Sequence, residues 1–418
     1  MNPIAFLFPG QGSQYIGMGI DLCSHFEAAL HTFQEASEVV GFDLLHLCTE
    51  GSADQLMKTE NAQPAILTAS VAAFRVLQAE FSPKPIYGAG HSLGEYTALT
   101  CSGALAFADA VRLVHLRGKW MQEAVPAKAG LMTAVTGLDP HVIAEICHEI
   151  TSSDEIVVVA NHNSHQQVVL SGHSSAVIKA TQKIEGLGGA AKTLSVSAPF
   201  HSPLMTPAAE QMKAVLNSTV FNKMDWPVLS NVTAMPYASP EQIPDLLAQQ
   251  ITSPVRWYEI MSYLNHAGIQ TIVEIGPKQV LKSLMKQSFP NIESYSMERV
   301  EHYHTLLSVS SLEKESNPPD GMRFLKKCLV LAVSTKNYNP DAKEYQEKAV
   351  LPYQQMKALK ERLESEKQQV TAVHMQEALQ MLRSVFETKR LPKEEQDARF
   401  ESLFLETGTK KWFGHVCT

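Results

Sequence analysis

The segment Gly90-His91-Ser92-Leu93-Gly94 carries the clearest chemical signal in the sequence. It fits the pattern G-x-S-x-G, follows a short strand candidate at residues 86–90 and precedes a helical stretch. In this strand–turn–helix context the serine lies on a sharp turn whose close backbone contacts require glycine, and its hydroxyl is exposed beside helix N–H groups. The pattern therefore predicts a nucleophile at Ser92, against the alternative of a glycine-rich turn with an incidental serine.

A nucleophilic serine needs a general base, and the chain offers 16 histidines. His91 is adjacent in sequence, but side chains at neighbouring positions diverge. His201 follows a strand candidate, at a point where the chain can return to the sheet edge that bears Ser92. His201 is therefore the candidate base, although such a histidine taken alone is more often structural or on the surface.

A second glycine turn, Gly10-Gln11-Gly12-Ser13-Gln14, follows the first strand candidate at residues 4–8. It does not fit the dinucleotide-binding pattern, because Tyr15 stands where that pattern has its third glycine. A turn in this position can instead direct a backbone N–H toward the same point as the serine turn. Two converging N–H groups form an oxyanion hole.

The elements around these turns alternate between short apolar strands and longer helices. Strand candidates at residues 4–8 and 86–90 are separated by a long helical pattern at residues 64–80, with Pro64 suited to its first turn. A further helix is predicted at residues 107–125. This alternation favours an α/β fold with a parallel sheet covered by helices.

The pattern changes between residues 130 and 196, where the predicted order is βαββαβ, the ferredoxin-like arrangement. Residues 161–166 are interpreted there as the connection between two strands. We expect this segment to be a small domain inserted into the larger one. Strands near residues 228–229 and 270–274 and a closing helix near residues 280–287 then resume the large domain.

The length of 418 residues predicts two or three structural units. Hydrophobic residues make up 44% and charged residues 19%, as in globular proteins, and the net charge of −8 argues against nucleic-acid binding. Charged residues are roughly 14% up to Leu312 and about a third beyond it. We predict a core at residues 1–127 and 197–300, an insert at 128–196 and a charged, mainly helical extension at 313–418, joined by a linker at Asn317-Pro318-Pro319.

The cysteines and the N-terminus bear on location. The six cysteines have no metal-ligand spacing, so no metal site is predicted, and we expect reduced thiols. The N-terminal apolar run ends at Pro9 and lacks a basic start, so it is interpreted as a strand and not a signal peptide. No apolar run approaches the ~20 residues of a membrane span. The expected location is the cytoplasm.

Several ordered segments carry a family resemblance: Phe8-Pro9-Gly10-Gln11-Gly12-Ser13-Gln14, Gly90-His91-Ser92-Leu93-Gly94-Glu95-Tyr96, Arg117-Gly118 with Met121, and Phe200-His201-Ser202. Gln250, Pro254-Val255-Arg256-Trp257 and Glu274-Ile275-Gly276-Pro277 follow them. Over about residues 1–290 the sequence resembles malonyl-CoA:acyl carrier protein transacylases. The resemblance implies an α/β-hydrolase-like core with a ferredoxin-like insert.

The resemblance also implies catalytic roles. Ser92 takes the acyl group as an ester, and His201 acts first as general base and then as acid for the departing thiol. The backbone N–H groups of Gln11 and Leu93 form the oxyanion hole. The main-chain carbonyl of Gln250 orients the histidine, so that no aspartate is required.

Substrate contacts follow from the same resemblance. Arg117 binds the free carboxylate of the malonyl group, which suits the planar two-donor fork of arginine, although on sequence alone it is more often a helix-surface residue. Phe200 resembles the bulky residue of malonyl-selective members and leaves little room for an α-methyl branch. Asn161 and Asn163 match an asparagine-containing segment and have at most a supporting role.

The implied reaction is ping-pong transfer from malonyl-CoA to the phosphopantetheine thiol of an acyl carrier protein. The CoA thioester is a substrate, phosphopantetheine is carried by the partner, and no permanently bound cofactor is expected. Neither nucleic acid nor a membrane is an expected partner. The alternatives are an acyl hydrolase that clears carrier proteins, for which Arg117 would have no use, and a non-catalytic scaffold, against which Ser92 and His201 argue.

The segment beyond residue 312 lies outside this family core. It resembles C-terminal extensions of free-standing acyltransferases in trans-acyltransferase polyketide pathways. Its interpretations are a solvated helical appendage, which we favour, and a docking surface for a synthase or carrier protein.

Overall fold

The computed structural model describes residues 3–80, 83–126, 129–194, 196, 198–307, 321–366, 368, 370–409 and 413. Contacts within the chain divide it into two units, Met1–Leu312 and Glu313–Thr418. The division falls where the charge density of the sequence changes. The linker predicted at Asn317-Pro318-Pro319 lies outside the described residues.

The strands of the first unit form two sheets. In its described residues they are β1 (Ile4–Phe8), β2 (Tyr87–Gly90), β3 (Gly130–Thr136), β4 (Val157–Ser164), β5 (Gln167–His173), β6 (Ala190–Thr193), β7 (Val228–Leu229), β8 (Thr271–Ile275) and β9 (Glu293–Met297). The larger sheet has the order β7-β2-β1-β8-β9, and each neighbouring pair is parallel. The predicted α/β class with a parallel sheet is therefore confirmed.

The burial of the strands explains this architecture. All residues of β1 and β8 are buried, as expected where helices cover both faces of a parallel sheet. Strand β9 was not predicted, because its sequence Glu293-Ser294-Tyr295-Ser296-Met297 is too polar to resemble a buried strand. This strand lies at the edge of the sheet, beside β8.

The helices that cover the sheets connect successive strands. In the described part of the first unit they are α1 (Ile20–His25), α2 (Glu27–Val40), α3 (Leu44–Thr49), α4 (Ala53–Met57), α5 (Thr59–Glu80), α6 (Leu93–Cys101), α7 (Phe107–Glu123), α8 (Pro140–Ile150), α9 (Ser174–Gly186), α10 (Thr206–Asn217), α11 (Ile243–Gln250), α12 (Trp257–His266), α13 (Val280–Ser288) and α14 (Val300–Leu307). Short 3-10 turns occupy Pro203–Met205 and Pro240–Gln242.

Helix α5 begins earlier than the sequence predicted. Pro64 was expected in its first turn, but the helix starts at Thr59 and Pro64 lies inside it. Proline cannot donate to the carbonyl four residues earlier, which belongs to Glu60. Nδ1 of His115 on α7 lies 3.0 Å from that carbonyl oxygen and provides the missing partner. The tertiary contact allows the helix to continue through the proline.

The insert has the predicted ferredoxin-like arrangement. Its strands lie in the order β4-β5-β3-β6 and all neighbouring pairs are antiparallel. One detail of the prediction was wrong. Residues 161–166 were expected to connect two strands, yet β4 continues through Asn161 to Ser164. Asn161 also bridges to Val255 of the large domain, which extends β4 beyond the apolar run that the sequence suggested.

The second unit is helical. Its described helices are α15 (Gly321–Ser334), α16 (Ala342–Tyr345), α17 (Leu351–Ser365), α18 (Ala372–Thr388) and α19 (Lys393–Glu406), with a π-helical turn at Gln346–Val350. The segment at residues 323–334, which the sequence left open between strand and helix, is helical. Its buried cluster includes Phe324, Phe386, Phe400 and Phe404.

Taken over the described ranges of both units, no helix combines the length and apolarity needed to cross a lipid bilayer.

Candidate active site

Ser92 lies on a strained turn between β2 and α6. Its backbone has φ 52° and ψ −104°, a conformation that a non-glycine residue adopts only when its surroundings enforce it. The glycines on either side permit the turn. A Cβ atom at Gly90 would overlap the backbone of Gly94, and one at Gly94 would overlap the carbonyl oxygen of Phe8 on β1. The glycines of the motif are therefore required by close backbone contacts.

We expect Gly94→Ala to destabilise the protein by about 3 kcal/mol, because the new methyl group overlaps backbone atoms that cannot rotate away. Gly186→Ala provides the control, since a Cβ there meets no atom within 4 Å and the residue ends a helix. It should change the free energy of unfolding by less than about 1 kcal/mol. Urea denaturation of both variants measures the difference, and equal stabilities would contradict the assigned packing.

Ser92, His201 and Gln250 form a hydrogen-bonded series. The Oγ atom of Ser92 lies 2.7 Å from Nε2 of His201, and Nδ1 of the same ring lies 2.8 Å from the carbonyl oxygen of Gln250. That carbonyl can only accept, so Nδ1 carries the proton and Nε2 is free to accept one from the serine. The structure thus brings together three residues that the sequence analysis proposed as nucleophile, base and orienting group.

The surroundings of His201 keep its ring neutral. Burial is the main cause that lowers its pKa, to about 3, and the positive charge of Arg117 lowers it further. The hydrogen bond to the Gln250 carbonyl acts in the opposite direction. At neutral pH the ring is therefore in the form that can accept a proton.

Arg117 is a buried cation beside Ser92, only 1% exposed. Its Nη2 donates to Ser92 Oγ at 3.0 Å and to Gln250 Oε1 at 2.9 Å, and its Nη1 donates to Gln63 Oε1 at 2.9 Å. The ring of Tyr96 lies 5.5 Å from the guanidinium carbon. All of these partners are neutral, so within the described residues this guanidinium makes no direct ion pair. A buried cation of this kind suits a ligand that brings its own carboxylate.

The two glycine turns lie side by side. Phe8 of β1 is the register partner of Gly90 of β2, so Gln11 and Leu93 each stand three residues beyond paired positions. The turns touch, because a Cβ at Gly10 would overlap the carbonyl oxygen of His91. Within the described part of the chain, neither the backbone N–H of Gln11 nor that of Leu93 donates to another protein group. Both backbone N–H groups are therefore available beyond the carboxyl ends of β1 and β2, as an oxyanion hole requires.

The remaining predicted residues lie around this centre. Phe200 is buried next to His201. His91 contacts the insert, where its Nε2 lies 2.9 Å from Oδ1 of Asn163. Asn161 is buried in the same strand and lies at the bridge between the insert and the large domain.

Sequence reasoning missed Gln63, Asn231 and Tyr237. Asn231 Oδ1 accepts a hydrogen bond from the backbone N–H of Ser92 at 2.6 Å, and its Nδ2 donates to the Gly90 carbonyl at 2.7 Å. Asn231 follows β7 closely, at the same edge of the parallel sheet as the serine turn. A polar residue directly after a predicted strand was the signal that could have identified it.

Comparisons with known proteins identify relatives of this chain. The model of the acyl transferase domain family matches residues 5–329. A malonyl CoA-acyl carrier protein transacylase of Bacillus subtilis is 41% identical over 396 residues, which cover 95% of this chain and 99% of that protein. Because only 312 residues precede the second unit, this match extends into it.

Solved structures give the same result for the first unit. The malonyl CoA-acyl carrier protein transacylase of Coxiella burnetii is 40% identical, with a TM-score of 0.72, and the match covers 73% of this chain and 96% of that chain. A type II PKS acyl-carrier protein in complex with its malonyl-transacylase matches with 41% identity and a TM-score of 0.71, over 72% of this chain and 98% of that chain.

Proposed function

This chain belongs to the family of malonyl CoA-acyl carrier protein transacylases, and we propose that it works through a malonyl ester on Ser92. It transfers a malonyl group from malonyl-CoA to an acyl carrier protein, for fatty acid or polyketide synthesis. The observation that carries the mechanism is the hydrogen-bonded series from Ser92 through His201 to Gln250, with Arg117 beside the serine.

In the first half-reaction the Ser92 hydroxyl attacks the thioester carbonyl of malonyl-CoA. Its proton passes to Nε2 of His201 as the Oγ–C bond forms, and the N–H groups of Gln11 and Leu93 bind the resulting oxyanion. The carbonyl then re-forms, the C–S bond breaks, and the protonated ring of His201 donates its proton to the departing CoA thiolate. The product is a malonyl ester on Ser92.

The second half-reaction reverses these steps with a different thiol. The phosphopantetheine thiol of the carrier protein gives its proton to His201 and attacks the ester carbonyl. The second oxyanion collapses with cleavage of the Oγ–C bond, and Ser92 takes the proton back. The transferred group has exchanged one thioester for another, so neither oxidant nor hydrolytic water is consumed.

Arg117 supplies the selectivity for malonyl in this scheme. Its hydrogen bonds go to neutral oxygens, so the malonyl carboxylate is the direct anionic partner that its buried charge lacks. When the carboxylate binds, the guanidinium exchanges its contact with Ser92 Oγ for the substrate. The nucleophile is then released beside the bound thioester. A neutral acyl group has no equivalent contact.

Cofactor needs and cellular location complete the proposal. Both thioesters are substrates, with phosphopantetheine carried by the partner, and we propose that no resident cofactor is needed because serine, imidazole and backbone N–H groups supply the chemistry. We also infer a cytoplasmic location, for which the free thiols of Cys23, Cys48, Cys101, Cys147 and Cys328 are the support.

Removal of the base tests the proposed function. We expect His201→Ala to lower the rate of malonyl transfer to a phosphopantetheinylated carrier protein by about 10³-fold, because no group then accepts the serine proton. His148→Ala, on an exposed histidine of the insert, should retain the wild-type rate. The measurement follows the malonylated carrier protein by mass spectrometry. Transfer that is insensitive to His201→Ala contradicts the mechanism, and release of free malonate by the wild type would indicate the hydrolase alternative.

A further inference from the structure

Glu95, three residues after Ser92, carries a buried carboxylate that the mechanism above does not use. Glu95 belongs to the first turn of α6 and is 0% exposed. Its Oε1 accepts a hydrogen bond from the Tyr237 hydroxyl, and its Oε2 accepts from Gln250 Nε2 at 2.6 Å and from the backbone N–H of Asn231 at 3.0 Å. Removing a carboxylate from water costs free energy, so packing alone does not explain a glutamate at this position.

The two groups on Oε2 hold the two ends of the Ser92 residue. Asn231 Oδ1 accepts from the Ser92 N–H at 2.6 Å, and Gln250 Nε2 donates to the Ser92 carbonyl oxygen at 3.0 Å. A single oxygen of Glu95 therefore fixes both contacts that hold Ser92 at its positive φ. Without them, the surroundings that enforce the strained turn are weakened.

The same carboxylate determines which way the Gln250 amide faces. Because the amide nitrogen donates to Glu95 and to the Ser92 carbonyl, its oxygen Oε1 faces the opposite side and accepts from Arg117 at 2.9 Å. A reversed amide would place its N–H₂ group against the guanidinium. The orientation of the malonyl-binding cation thus depends on Glu95 through one side chain.

We propose that Glu95 is a positioning residue whose ionised carboxylate, acting through Gln250 and Asn231, holds Ser92 and Arg117 in the geometry needed for malonyl transfer. The inference rests on the proposed function, because it assigns Glu95 to the acylation of Ser92. It does not require that Glu95 touches the substrate.

The ionised form is the competent one, since the Asn231 N–H and the Gln250 Nε2 group on Oε2 can only donate, and a charged carboxylate binds such donors most strongly. The charged and titratable groups that face it are Arg117 of α7, Tyr237 beyond β7 and Tyr96 of its own helix. Burial raises the pKa of Glu95 to about 7, while the hydrogen bonds from Tyr237, Gln250 and Asn231 act in the opposite direction. A proton on Glu95 removes the charge from these hydrogen bonds and so weakens the hold of Oε2 on Asn231 and Gln250. Acylation should therefore decrease as pH falls through about 7, a range in which His201, with a pKa of about 3, stays neutral.

The test measures kcat/KM for acylation of Ser92 by malonyl-CoA, by rapid quenching, over about two pH units on either side of neutrality. For wild type we expect a decrease toward acid pH. Glu95→Gln should be slower by roughly 10²-fold at alkaline pH, because Gln250 and Asn231 are then mispositioned. This variant should also lose the decrease toward acid pH. Tyr237→Phe removes a hydrogen bond that lowers the pKa of Glu95. In this variant the decrease in kcat/KM should therefore begin at higher pH. Glu210→Gln, at an exposed glutamate of α10, should behave as wild type.

Two results overturn the inference. One is a Glu95→Gln variant that keeps the acid decrease of the wild type, or acylates within about twofold of its rate. The other is a Tyr237→Phe profile that coincides with the wild-type profile, and this variant decides the matter if Glu95→Gln does not fold. In both cases wild-type Ser92 is still acylated, which separates these results from failure of the proposed function, in which the wild type forms no acyl-enzyme at all.

Discussion

Alanine at position 92 is expected to abolish malonyl transfer, with a loss of at least roughly 10⁴-fold in kcat/KM. The reason is that Ser92 Oγ lies 2.7 Å from the neutral ring of His201 and, in the proposed mechanism, carries the acyl group between the two thiols. His201, the Gln11 and Leu93 amides and Arg117 remain in the variant, but without Oγ no covalent intermediate forms. The measurement is the initial rate of carrier malonylation, together with the mass of the protein after exposure to malonyl-CoA.

Ser24→Ala is the matched control for this prediction. Ser24 lies exposed on α1, and its hydroxyl donates to the Ile20 carbonyl of the same helix. It should leave the rate and the acylated mass unchanged. If Ser92→Ala still gains the mass of one malonyl group on incubation with malonyl-CoA, another nucleophile carries the reaction and the assignment of Ser92 is wrong.

Alanine at position 117 is expected to reduce the preference for malonyl-CoA over acetyl-CoA by about 10²-fold, because hydrogen bonds to a charged group contribute about 1.5–3 kcal/mol each. Arg117 also bonds to Ser92 Oγ and Gln250, so the absolute rates with both substrates should change. The ratio of the two kcat/KM values isolates the contact with the carboxylate, since that group is the difference between the two substrates.

Two further variants sharpen this prediction. Arg117→Lys keeps the charge but loses the two-donor fork, so its substrate preference should lie between those of Arg117→Ala and wild type. Arg112→Ala, an exposed position on the same helix that pairs with Asp109, should retain the wild-type preference. An unchanged malonyl-to-acetyl ratio in Arg117→Ala would show that selectivity resides elsewhere, for example in the space that Phe200 leaves.

The local parts of the site were predictable from sequence. The serine turn and the first glycine turn are short motifs in which backbone geometry dictates the residue types, and their placement after β1 and β2 follows from strand and turn signals. His201 was different. Its type and position left a structural role open, and the resemblance to a family was needed to choose it.

The parts that sequence did not reveal depend on contacts between distant segments. Gln63 reaches the site only once the sheet is assembled, and nothing in its immediate sequence distinguishes it from other amides. Asn231 follows a predicted strand, but its contact with the Ser92 N–H depends on the assembled sheet. Glu95 was visible within the family motif, but its function depends on Tyr237, which stands more than a hundred positions later. Similarly, Pro64 can lie inside α5 because His115 contacts the Glu60 carbonyl, to which the proline cannot donate.

The most direct test of the central claim follows a labelled malonyl group through both half-reactions. The protein is mixed with malonyl-CoA labelled in the malonyl group, freed of CoA and divided into two portions, one for peptide mapping and one for incubation with a phosphopantetheinylated acyl carrier protein. We predict that the label lies on Ser92 as an ester and then appears on the carrier thiol. The absence of label from Ser92, or its release mainly as free malonate when the carrier is added, would contradict the account.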